Sequence, residues 1–162
     1  STTAFKNLED VYKPVISHQD QKKSKDYLVL IVEDDPINQL LIKNFIMKEY
    51  KVLITDTSEN VIEILEQNNV DLILMDISIK GCKNGLELAQ EIKMIPKFSN
   101  IPIIATTAHV FSNDRQNAIE YKCDDFLPKP FTRKGLLDTI HKFVKVECVG
   151  NNKIEVSQKN IL

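Results

Sequence analysis

The chain has 162 residues, 43% of them hydrophobic and 27% charged, with a formal net charge of −2. That is the composition of a globular domain with a sizeable core, and it excludes a disordered or fibrous chain. The near-neutral balance gives no electrostatic attraction to nucleic acid or to an anionic membrane, and no apolar run approaches the roughly 18 residues that a membrane span needs.

Residues 1–26 stand apart from the rest of the chain. The N-terminus, STTAFKNLED, lacks a basic-then-apolar leader, and an opening Ser1 is expected of a processed chain or a piece of a longer one. AFKNLEDVY predicts a short helix, and SHQDQKKSKD (17–26) a polar linker. His18 lies in that linker without the HExxTP-like box of a kinase dimerisation domain, and reads as a linker residue. A first strand over 28–32 runs into Glu33, Asp34 and Asp35. Asp35 is placed to cap the next helix and Pro36 to open its first turn, with Ile37, Leu40, Leu41 and Phe45 expected on its buried face. A second strand (52–54) precedes a helix with Val61, Ile64 and Leu65 on one face. The third strand, 71–75 in DLILMD, ends on Asp76. Gly81 is a turn point, and a helix follows Gly85 with Leu88, Ile92 and Ile95 inward. The fourth strand (101–105) leads to Thr106 and Thr107. Asn113 is then placed to cap a polar helix carrying Ala118 and Ile119. A short fifth strand (125–127) runs to Lys129, and Thr132 caps a last helix with Leu136, Ile140, Phe143 and Val144 inward. The tail 147–162 is too short for an effector domain, and NKIEVS (152–157) has the make-up of a segment that pairs with a neighbour.

Strand and helix alternate five times, and several strands are apolar throughout. Both features predict a parallel sheet covered on two faces, with right-handed crossovers. The chain is too short for a (β/α)₈ barrel, which leaves a flavodoxin-like doubly wound fold of order 2-1-3-4-5 and a site at the C-terminal strand ends. Those ends carry Glu33 and Asp34, Asp76, Thr107 and Lys129. Carboxylates gathered without a counter-charge repel one another, and Mg²⁺ (or Mn²⁺) relieves this while keeping some of its waters. The same charge lets an anionic phosphate approach a carboxylate, and a lysine supplies a point charge for a phosphoryl oxygen. Cys82, Cys123 and Cys148 are odd in number with no CxxC spacing, so reduced thiols in a cytosolic protein are expected, not a zinc site or disulfides.

VLIVEDDPINQ, DLILMDIS, NGLELAQEIK, PIIATTAH and DDFLPKPF, in this order, resemble the receiver domain of two-component response regulators over about residues 27–146. The resemblance implies that Asp76 is the phosphoacceptor. Asp34, Asp76, the Ser78 carbonyl and, mostly through water, Glu33 would hold Mg²⁺. Lys129 would pair with the phosphoryl group, and Thr107 and Phe126 would form a switch. Ser78 and His109 would flank the acyl phosphate and tune its lifetime, and Lys129–Pro130 would be cis. The implied partner is a histidine kinase or a histidine phosphotransfer domain. The face made by the fourth helix, fifth strand and fifth helix would carry the output, and the expected partners include a second copy of the chain. The only catalysis implied is the domain's own phosphorylation and dephosphorylation.

Some positions depart from the family pattern. Lys80 stands where receivers commonly have proline, the usual glycine comes one residue late at Gly85, and Lys122 occupies a left-handed turn position that often holds glycine. A longer loop beside the site and a positive φ at Lys122, or a reshaped turn there, are expected. Asn38 fits the PxN of receivers attached to hybrid histidine kinases, which favours a fragment of such a kinase over a free-standing regulator. Other functions fit less well. A haloacid-dehalogenase-like phosphatase needs DxD at its first strand end, and a flavodoxin needs a phosphate loop where three acids stand here. An inactive docking module would not retain all the central residues.

Overall fold

The structure is a computed structural model that describes residues 26–108 and 113–144. The expectations placed on His18, His109, Cys148 and the two tails lie outside those residues. Five strands and five helices alternate: β1 (Leu28–Val32), α1 (Pro36–Ile46), β2 (Lys51–Thr55), α2 (Val61–Gln67), β3 (Leu72–Asp76), α3 (Gly85–Met94), β4 (Ile103–Thr107), α4 (Asp114–Glu120), β5 (Asp125–Pro128) and α5 (Arg133–His141). The strands form one parallel sheet of order β2-β1-β3-β4-β5. This is the flavodoxin-like architecture that the alternation predicts.

The strand period of two divides the apolar residues between two faces. Leu30 and Val32 of β1 and Ile73 and Met75 of β3 pack with Val61, Leu65, Leu88 and Ile92 from α2 and α3. Val29 and Ile31 of β1 and Leu72 and Leu74 of β3 pack with Ile42, Ile46, Leu136 and Ile140 from α1 and α5. A third cluster joins Ile77, Ala105 and Ala118 of α4, with Phe126 against it. Each Leu or Ile removed fully from water stabilises by about 1.5 to 3 kcal/mol, so the double-sided sheet is the main source of cohesion.

The helix starts have identifiable causes. Asp35 accepts the Ile37 amide at 2.8 Å ahead of Pro36, Asn84 accepts the Glu87 amide at 2.9 Å, and Thr132 accepts the Gly135 amide at 3.0 Å. Asn113 stands at the N-cap of α4, but its side chain makes no capping hydrogen bond. Lys122 has φ of 65°, as the missing glycine predicts. Its amide donates to the Ile119 carbonyl at 3.0 Å and the Cys123 amide to that of Ala118 at 2.9 Å, which is a Schellman ending with lysine at the left-handed position.

Several sequence expectations need correction. The buried stripe of α1 is Ile42 and Ile46, with Phe45 half-buried. Ile37, Leu40 and Leu41 are exposed, at 77%, 60% and 43%. Its apolar residues surround the helix, so two stripes compete, and packing on β1 and α5 chooses between them. Ile119 is likewise exposed, while Ala118 is buried. The fourth strand starts at Ile103 rather than Ile101, and the fifth ends at Pro128, one residue before Lys129. Ile95 and the pair Phe143 and Val144 lie beyond the ends of their helices, although Val144 is buried.

At the N-terminal rim of the sheet, two carboxylates bind the strands together. Asp71 accepts the Leu28 amide at 2.8 Å and Asp124 the Ile103 amide at 2.8 Å. The Lys93 ammonium joins Asp124 at 2.6 Å and the Ile101 carbonyl at 2.7 Å.

Candidate functional site

The strand order reverses direction between β2 and β3, which leave β1 on opposite sides. The crevice beyond the C-terminal ends of β1 and β3 is therefore a topological switch point, the usual ligand position in such sheets. Register sets what lies there. Val32 pairs with Met75, Asp76 with Thr106, and Thr107 with Pro128. Glu33 and Asp34 after β1, Asp76 on β3, Thr107 on β4 and Lys129 after β5 are thus brought to one end of the sheet from distant parts of the chain.

Carboxylate oxygens of Glu33, Asp34 and Asp76 all lie within 4.8 Å of one another. Glu33 and Asp76 are buried, at 1% and 6% exposure. Lys129 Nζ lies 2.6 Å from Glu33 Oε2 and 3.2 Å from Asp76 Oδ2, so one ammonium serves two acids. Burial raises the Glu33 carboxyl above its ordinary pKa, and Asp76 adds to this; the Lys129 and Asp35 hydrogen bonds offset only part of it. Burial alone would lower Lys129, but the Glu33 hydrogen bond and the Asp76 charge outweigh it, and its pKa is raised. The ammonium is firmly charged in an acid-rich crevice.

Backbone groups complete the arrangement. The Ser78 amide donates to Asp76 Oδ1 at 2.8 Å, and the Asp35 amide to Glu33 Oε1 at 3.1 Å. Lys129 N donates to the Thr107 carbonyl at 2.7 Å, and the Lys129–Pro130 peptide is cis. Thr107 is fully buried, Ser78 is exposed, and Phe126 is half-buried beside Ile77, Ala105 and Ala118. Asp35, as expected, is occupied with capping. The closely set hard oxygen donors, two of the three acids buried, suit a small divalent cation, with Ser78 two residues beyond Asp76 and exposed.

Two supporting residues stand in the motifs, but their contacts are not legible in the sequence. Gln39 Nε2 donates to the Glu33 carbonyl at 2.6 Å, from the last position of VLIVEDDPINQ. Gly85 reads only as a displaced family glycine, but a Cβ there would lie 2.3 Å from the Asp76 carbonyl oxygen. Its amide donates to the Ile77 carbonyl at 3.2 Å. Glycine is therefore what lets α3 begin against the backbone of the strand that carries Asp76. Beside the crevice a cavity of about 350 Å³ is lined by Asn38, Leu41, Ile42, Ala108, Lys129, Pro130 and Phe131.

The family description "response regulator receiver domain" matches residues 29–141. The chain belongs to the receiver family. Over 118 residues this receiver is 32% identical to the transcriptional regulatory protein BaeR of Escherichia coli O6:H1, across 72% of this chain and 48% of that protein. The chain thus spans about half the length of that relative. It is 28% identical over 117 residues to the polar-differentiation response regulator DivK of Brucella ovis, across 72% of this chain and 94% of DivK. Among solved structures, the receiver domain of sensor histidine kinase PA1611 from Pseudomonas aeruginosa PAO1 superposes with a TM-score of 0.67 at 30% identity. It covers 72% of this chain and 96% of that one, and that crystal structure has a magnesium ion coordinated in its active-site cleft. No helix among the described residues is long and apolar enough to cross a membrane.

Proposed function

We propose that this receiver is a Mg²⁺-dependent phosphoacceptor whose acceptor atom is a carboxylate oxygen of Asp76. The observation that carries the reading is the shared ammonium: Lys129 bridges Glu33 and Asp76 in a crevice where three acids converge. A carboxylate oxygen of Asp76 attacks the phosphorus of a phosphohistidine. The new O–P bond replaces the P–N bond, the imidazole leaves with the bonding pair and takes up a proton, and an acyl phosphate results. Asp34, Asp76, the Ser78 carbonyl and, through water, Glu33 would hold Mg²⁺, whose charge lets the anionic phosphoryl group approach. Lys129 then turns from the acids to a phosphoryl oxygen. Thr107 moves its hydroxyl to the same group, and Phe126 fills the space behind it. By the family resemblance, Ser78 and His109 would set the lifetime of the acyl phosphate. With acetyl phosphate or beryllofluoride and Mg²⁺, the wild-type chain is expected to gain one adduct by mass spectrometry and Asp76→Asn none. An equal adduct on Asp76→Asn rejects the assignment.

The donor in this reading is a histidine kinase or phosphotransfer domain that docks on the exposed row Ile37, Leu40 and Leu41. Leu41 of that row also lines the cavity that Lys129 borders. The double change Leu40→Ser with Leu41→Ser is expected to slow transfer from a phosphohistidine protein at least about tenfold, a loss of roughly 1.4 kcal/mol. Labelling by acetyl phosphate should not change. Equal slowing with both donors places docking elsewhere.

The chain divides, on this reading, into a linker (1–26), the receiver (27–146) and a tail (147–162). Asn38 and the likeness to a receiver taken from a sensor histidine kinase favour a segment of a hybrid kinase. DivK, matched over 94% of its length, keeps the free-standing regulator as the alternative. The reading frame flanking this segment in its gene decides between them.

A further inference from the structure

The loop between β3 and α3 is tied to a distant part of the fold at its tip. Gly81 has φ of 136°, and a Cβ on it would lie 2.2 Å from Ser58 Oγ. The Cys82 amide donates to Glu59 Oε1 at 3.1 Å, and the Lys83 amide lies 3.5 Å from Ser58 Oγ. Ser58 is buried although polar, and Lys83 pairs with Glu91 of α3. At the base, the Ile79 amide donates to the Asp76 carbonyl at 3.3 Å and the Gly85 amide to the Ile77 carbonyl at 3.2 Å. Ser78 lies within the base: its amide donates to Asp76 Oδ1 at 2.8 Å, and its carbonyl shares a peptide plane with the Ile79 amide, whose 3.3 Å bond is long.

We propose that Glu59 is a positioning residue for the crevice: by holding the Cys82 amide it sets the direction of the Ser78 carbonyl and so the cation affinity of the site. The inference rests on the reading of Asp76 and its neighbours as a Mg²⁺-dependent acceptor. Its physical basis is the length of the loop, which is extended beside the site and carries Gly81, a residue free to adopt several backbone conformations. With the tip released, that long Ile79 bond alone holds the Ser78 carbonyl's peptide plane, which then samples several tilts. A tie at Cys82 selects one, and the loss of ordering entropy then falls on folding instead of on cation binding. Hydrogen bonds from the Thr57 side chain and the Cys82 amide keep the Glu59 carboxyl below its ordinary pKa, so at neutral pH the acceptor is ionised and strong.

The test compares the full chain as wild type, Glu59→Ala and Glu59→Gln. In metal-free protein, the Cys82 amide is expected to exchange slowly with deuterium in the wild type and Glu59→Gln, and quickly in Glu59→Ala. By calorimetric titration, Glu59→Ala is expected to bind Mg²⁺ about tenfold more weakly, and Glu59→Gln, which keeps an acceptor oxygen, within about twofold of wild type. Their unfolding temperatures should coincide. Gly81→Ala, whose methyl group presses on Ser58, should weaken Mg²⁺ binding with Glu59 intact. Wild-type Mg²⁺ affinity in Glu59→Ala, or unchanged Cys82 exchange, overturns the positioning role. A wild-type chain that binds no Mg²⁺ overturns the underlying reading as well, and does so before any variant is compared.

Discussion

Lys129 and Glu33 illustrate how one side chain can be expensive alone and stable in company. A carboxylate at 1% exposure would shed its charge if unpaired, and its raised pKa records that pressure. That direction fixes the sign of the pH dependence. A carboxyl whose folded pKa is raised contributes stability that is complete below its unfolded pKa and is lost as pH rises through the folded value. In EDTA, Glu33→Gln is therefore expected to gain stability relative to wild type as pH rises from about 4 to 7, since the wild type alone bears the cost of charging that group. Urea unfolding across that range measures it, and a constant difference between the two proteins would contradict it. Lys129 is charged throughout this window and leaves the slope unaltered. Chemistry-bearing residues such as Asp76 and Lys129 were legible in the sequence because strand ends are marked by a change from apolar to polar. The supporting roles of Gln39 and Gly85 were not, because their contacts are with backbone atoms that no side-chain pattern encodes.

Among the elements, α1 and α4 depart furthest from their sequence pattern. In PINQLLIKNFI six apolar residues occupy both sides of the helix, so periodicity admits two buried faces. The choice belongs to β1 and α5, which accept Ile42 and Ile46. The short α4 has little intrinsic stability and ends on Lys122 with φ of 65°. A lysine in the left-handed region costs about 1 kcal/mol relative to glycine. Lys122→Gly is accordingly expected to raise stability by up to about 1 kcal/mol, seen as a higher urea midpoint with an unchanged slope. A lower midpoint would mean that the lysine side chain makes compensating contacts. The strands were read more accurately than the helices, since a run buried on both faces needs no choice of side.

At the scale of the whole molecule, Glu33, Asp34, Asp76 and Lys129 become neighbours only when β1, β3 and β5 are assembled, so the site exists in the folded state alone. A cation held there stabilises the fold by mass action, by about 2.7 kcal/mol at a hundred times its dissociation constant. Mg²⁺ is expected to raise the unfolding temperature of the wild type and to leave that of Asp34→Asn nearly unchanged. An equal rise in both would assign the effect to general salt screening. Fold class and strand order were readable from alternation and length, whereas the tie between Glu59 and the β3–α3 loop depends on a juxtaposition that the chain reveals only once folded. The opposite rim behaves differently. There Asp71, Asp124 and Lys93 stitch strand starts together through backbone groups, while at the other ends Glu33 and Asp76 are joined through the ammonium of Lys129. A change that draws Lys129 away from Glu33 and Asp76 therefore leaves the strand starts in place, because Asp71, Asp124 and Lys93 take no part in it.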